Sequence, residues 1–272
     1  MDMEDFATYI LEEKDEIQKM IITYYLSKKT GIFFDKSIVL KTEIAKLFVE
    51  YMKIDVDVNE IMTAMLLCNC KKIDNMQKMG KLELYAIEGA EYLKTLGFDE
   101  RFCRICKEVN RYNNDEKREK EGDILEVVDQ FTGLILNRVE RGAFSPMEAI
   151  MILRERNLKY VENRYLDKFC EFVEDMENVY IKEVIDVPIL KKLVSMHNRE
   201  ANVKTLIVTL GNKYIPMIEK TIKISPREQK REYMPIEEKE LLKSVQVKDR
   251  ALFSEEVAER IMNHKSKYKV EE

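Results

Sequence analysis

At 272 residues, 45% of them hydrophobic, the chain is long enough for one good-sized domain with an appendage, or for two small domains. Charged residues make up 36%, with both signs interspersed and a formal net charge of −5, which excludes an electrostatic footprint for nucleic acid or for an anionic membrane surface. With eight Gly, five Pro and no Trp, breakers are few and helix formers many, so a mostly α protein is expected.

The opening segment spaces Phe6, Ile10, Leu11, Ile17, Met20, Ile21 and Tyr24 close to a helical period, which predicts one or two amphipathic helices before Gly31. Its first residues, MDMEDFATYILEEKDE, show no basic stretch followed by an apolar core. Nowhere does an apolar run reach the roughly 18 residues of a membrane-spanning helix, so a cytoplasmic protein with no membrane partner is expected. Leu40, Ile44, Leu47, Phe48 and Tyr51 fall on one face of a further helix. Asp57, with Glu60 three residues on, predicts an N-cap with a reciprocal acid ahead of the buried helix IMTAMLLCNC. After the polar run KKIDNMQKMGK, a helix through YAIEGAEYLKTLG should stop at Gly97, and Asp99 is placed to cap ERFCRICKEVNRY. NNDEKREKEG, over 113–122, reads as a charged loop before a helix that starts near Asp123 and carries ILEVVDQFTGLIL. Ser145, Pro146 and Glu148 make the clearest helix start in the chain.

After about Met176 the texture changes. VKTLIVTL is rich in β-branched residues and reads as a strand, amid Pro188, Pro216, Pro226 and Pro235. Residues 225–250 form a charged connector, and SEEVAERIMNH reads as a terminal amphipathic helix. The expected organisation is an N-terminal helical segment over 1–35, a helical domain over 36–177, and a C-terminal appendage of mixed α/β character over 178–272.

The five cysteines, Cys68, Cys70, Cys103, Cys106 and Cys170, are odd in number and sit inside apolar helical patterns, which predicts free thiols in a reducing compartment. Four thiolates could close around zinc. However, a C-x-C pair within a helix points its side chains about 200° apart, so core packing is the expected role.

Four stretches, LLCNCKKI, YAIEGAEYLKTLGF, ICKEVNRYN and GDILEVVDQFTGLILNRVERGAFSPMEAIMIL, occur in an order that resembles the successive motifs of the HD-GYP branch of the HD superfamily. Members of that family hydrolyse cyclic di-GMP at a two- or three-metal centre inside a helical bundle, so the resemblance implies an HD-domain helical bundle over 36–177. The retained VVDQF and SPMEA favour this branch over the HD-related output domains. The resemblance also implies where metal ligands should stand. There the His-Asp pair is Cys68 and Asn69, a later His is Tyr85, a His-His pair is Glu108 and Val109, and the first His falls near Leu40. Asp129 alone survives, and the two histidines, His197 and His264, lie outside the resembling region. A binuclear centre needs a cage of imidazoles and carboxylates, so neither a metal, a cofactor nor phosphodiesterase activity is expected.

Asp129 sits in an apolar helical stretch, where an unpaired carboxylate would cost several kcal/mol to bury. The resemblance points to Lys72, Arg111 or Arg138 as its basic partner. With Asp129 as anchor and Lys71 beside them, Lys72, Arg111 and Arg138 are also the candidate residual pocket for a phosphate or cyclic dinucleotide, set against a structural ion pair and ordinary solvated surface. The expected function is a non-catalytic regulatory or interaction module that binds a protein partner or itself. The alternative is a sensor that binds a cyclic dinucleotide or nucleotide without hydrolysis.

Overall fold

The computed structural model describes residues 6–72, 84–110, 118–138, 141–157 and 163–224, all within a compact unit spanning Met1–Ile224. The expected connector and terminal helix beyond 225, and most of KKIDNMQKMGK, lie outside the described residues. The fold is mostly α, and among the described residues no helix is long and apolar enough to cross a membrane.

Short acidic side chains start most of the early helices by taking up backbone N–H groups that no turn of helix satisfies. Helix α1 is Phe6–Glu12, and α2, Glu16–Thr30, opens with Asp15 accepting from the Gln18 N–H at 2.9 Å. Gly31 ends α2 at φ 72°, a left-handed conformation that strains any residue with a Cβ, and its N–H donates to the Ser27 carbonyl. Asp35 caps α3, Lys36–Tyr51, and Asp57 caps α4, Val58–Leu67. Glu60 does not close a reciprocal box on Asp57; it pairs with Arg101 at 2.6 Å. Helix α5, Leu84–Thr95, precedes Gly97 at φ 88°, and Asp99 caps α6, Glu100–Lys107, as expected. Helix α7, Lys120–Ile135, starts three residues before Asp123 and so absorbs the end of the expected charged loop. Ser145 and Glu148 exchange backbone hydrogen bonds at the start of α8, Pro146–Asn157, and α9 is Leu166–Met176.

Helix α3 is the centre of the unit, packed by α4, α7 and α9 and by two helices from beyond residue 177. These are α10, Ile189–Arg199, and α11, Val203–Thr209. The expectation of a single apolar face on α3 is therefore too narrow, because Lys41, Thr42, Glu43 and Lys46 are buried along with its hydrophobic residues. On one side Phe48 meets Phe169 at 4.9 Å between ring centroids, and Phe131 of α7 meets Phe169 at 5.1 Å, edge to face. At the other end, fully buried Lys19 ties three helices together, donating to the Ile10 carbonyl and, at 2.6 Å, to Thr63.

The boundary drawn after residue 177 falls inside this unit. Lys36 donates to the carbonyls of His197 and Glu200, both at 2.8 Å, placing a cation on the exposed carbonyls at the end of α10. The mixed character of this region is a minimal antiparallel ladder, β1 at Tyr180–Ile181 against β2 at Val187–Pro188. VKTLIVTL is not a strand: it forms α11 and enters a π-helical turn over Leu210–Tyr214, which is followed by α12 over Ile215–Ile224. Asn202 and Thr205 supply a capping box, and Leu206, Ile207, Leu210 and Tyr214 are buried at helical spacing, which outweighs β-branched propensity.

Candidate functional site

Asp129 lies in the third turn of α7, seven residues after Gly122 and four before Gly133, so the three share one helix face. Its side chain is 17% exposed, and Oδ1 takes two hydrogen bonds. Lys41 of α3 donates from Nζ at 2.5 Å, and Asn69, just past the end of α4, donates from Nδ2 at 3.0 Å. The packing of α3 against both α4 and α7 brings the three together. Burial alone would raise the Asp129 carboxyl, but the Lys41 and Lys72 ammoniums and the bonds from Lys41 and Asn69 outweigh it and hold the group well below the usual carboxylate range.

Two of the expected basic residues join this cluster. Lys72 feels Lys41 most strongly, and that repulsion with burial lowers its ammonium to about 8 against the pull of Asp129; Arg138 adds to the repulsion. The Arg138 guanidinium lies against α7 where Gly133 leaves room: a Cβ there would stand 2.5 Å from Nη2. Buried Tyr85 completes the wall beneath the Lys72 ammonium, which is 5.9 Å from its ring centroid. Burial, with Asp129 and Cys68 beside it, pushes the phenol up and keeps it neutral. Cys68 is buried too, and burial and Asp129 push its thiol up, so it stands neutral beside Asp129 and is not an activated nucleophile.

Arg111 lies outside the described residues. The partner of Asp129 that sequence reasoning missed is Lys41. A signal for it exists: Lys41 precedes Ile44, Phe48 and Tyr51 at intervals of three, seven and ten, on the same stripe of α3. Glu108 is fully buried but belongs elsewhere. It accepts from the Glu119 N–H at 2.8 Å and packs so closely on Gly122 that a Cβ there would meet its Oε2 at 2.4 Å. Burial raises the Glu108 carboxyl to about 7, against that hydrogen bond and the Arg118 charge.

The cluster around Asp129 thus sets that carboxylate, with Asp35 also acting on Lys72, among the cations Lys41, Lys72 and Arg138, with an amide, a phenol and a neutral thiol. That donor set does not fit a pair of metal ions, which need several lone-pair donors rather than ammonium protons. Among the described residues no three His, Cys, Asp or Glu side chains are arranged to hold a metal ion. All five cysteines are free and buried, as packing groups would be. No family model, curated protein or solved structure matches the chain, so any reading of the site rests on its own geometry.

Proposed function

We propose that this chain is a non-catalytic regulatory module that binds a protein partner, or a second copy of itself, on a helical fold resembling the HD-GYP domains. The observation that carries this reading is the Lys41–Asp129 pair at 2.5 Å. A catalytic carboxylate in such a fold would present its lone pairs to a metal ion; here an ammonium that is 4% exposed takes them instead. Support also comes from the convergence of Cys68, Asn69, Tyr85 and Asp129, positions that the resemblance aligns with metal ligands, around that one carboxylate. Lys41 stands one residue past the position aligned with the first His, so a fixed cation supplies the charge that metals would have supplied.

The purified protein should carry less than one equivalent of iron, manganese or zinc, and cyclic di-GMP turnover should be undetectable with added Mn²⁺ or Fe²⁺. Turnover linear in protein and abolished by chelator would sink the reading.

The gathering of Lys41, Lys72 and Arg138 around Asp129 favours a second reading, a sensor that holds a phosphate-bearing ligand without hydrolysis. Titration with cyclic di-GMP in chelator separates the two. Binding that survives chelator and is lost in Lys72→Met supports the sensor, whereas no binding by the wild-type protein leaves the partner-binding module.

A further inference from the structure

Away from Asp129, a second set of buried charges meets on the opposite flank of α3. Glu16 at the start of α2 and Glu43 on α3 are 7% and 1% exposed. Lys46 donates to Glu16 at 2.8 Å and to Glu219 of α12 at 3.1 Å, so this one ammonium ties α2, α3 and α12. Glu50 of α3 faces the same ammonium. From α10, His197 shares with Glu43 a cavity of about 10 Å³, otherwise walled by apolar groups such as Leu206 and Leu210. The carboxylates therefore outnumber the ammonium, and Oε2 of both Glu16 and Glu43 is buried with no hydrogen-bond donor. Two ionised carboxylates in that position would repel at low dielectric with neither orphan oxygen satisfied. A single proton held in the contact between the two side chains would relieve that repulsion.

We propose that Glu43 keeps its proton and donates it to Glu16, and that this shared proton is a pH-sensitive clasp fastening α2 and α12 to α3. Burial raises the Glu43 carboxyl well above its ordinary range, and the Glu16 charge adds to it, against Lys46. A raised carboxyl contributes stability that is full below the unfolded value of about 4.5 and is lost as pH rises through the folded one. Loss of the proton sets two buried anions against each other and loosens the Glu16–Lys46–Glu219 chain. That chain lines a groove of about 850 Å³ with Asp15, Glu50 and Asp57, so the clasp also governs how that acidic groove is held.

The test is hydrogen exchange of the full-length protein between pH 5 and 8, corrected for the intrinsic rate, with Glu43→Gln as the variant, because its amide donates the same bond at every pH. Wild-type protection over 16–30 and 215–224 should fall with rising pH, by up to tenfold per unit as one proton allows. In Glu43→Gln that fall should shrink to what the burial-raised Glu50 carboxyl contributes, and protection at pH 8 should exceed the wild type. Glu16→Gln, which donates the bond from the other side, should flatten the profile in the same way and serves if Glu43→Gln does not fold. Wild-type protection independent of pH in these helices, or a variant slope equal to the wild-type slope, overturns the clasp.

Discussion

Asp129→Ala is expected to destabilise the fold by about 3–5 kcal/mol, because it strands the Lys41 ammonium, 4% exposed, without its counter-charge. Urea or guanidinium denaturation reads the loss as a lower midpoint. Removing both charges together, as in Lys41→Met with Asp129→Leu, should recover most of it, since a buried ion pair replaced by packed apolar groups is often neutral. The acid limb reports the same pair. A carboxyl held below its ordinary value of 3.8 contributes stability that is present above that value and lost as pH falls through the folded one. The wild-type midpoint should therefore fall below about pH 4, and this part of the fall should be absent in the double variant. An Asp129→Ala midpoint equal to the wild type would mean that the carboxylate is not the buried partner of Lys41.

Phe169→Ala should cost a comparable about 3–5 kcal/mol, the usual range for emptying a fully buried aromatic position. Phe169 of α9 touches Phe48 of α3, Phe131 of α7 and Phe172 of its own helix, with centroids 4.9, 5.1 and 5.8 Å away. Helices α3 and α7 are also the carriers of Lys41 and Asp129. A cavity between them should therefore loosen the ion pair as well as the core. NMR titration of Asp129 in Phe169→Ala should show its carboxyl moving up towards 3.8, whereas an unchanged titration with a lowered midpoint would show that the site is held independently of the aromatic cluster.

Most helices before residue 158, and several of their starts, were legible in the sequence because caps and periodicity are local. Asp57, Asp99 and Ser145 with Pro146 and Glu148 mark helix starts, and Gly97 marks an end, through interactions spanning three or four residues. The mostly α class follows from the same local rules. VKTLIVTL defied them because β-branched propensity is worth little against the Asn202–Thr205 capping box and the burial of Leu206 and Ile207.

Asp129 was also legible, as a carboxylate that its apolar surroundings require to be paired. Its partner was not, because Lys41 lies 88 residues away and reads, like Glu43 and Lys46, as an ordinary charge on an amphipathic helix. Only tertiary structure surrounds α3 on nearly every side and so turns those charges from solvated to buried. Once buried, each must find a counter-charge or a proton. The sequence by itself determined the mostly α class, several helix starts and ends before residue 158, and that Asp129 needs a partner. The packing of α4, α7 and the helices beyond residue 177 around α3 decided that the partner is Lys41, and that Glu43 meets Glu16, since the cost of burying a charge depends on neighbours that local sequence does not specify.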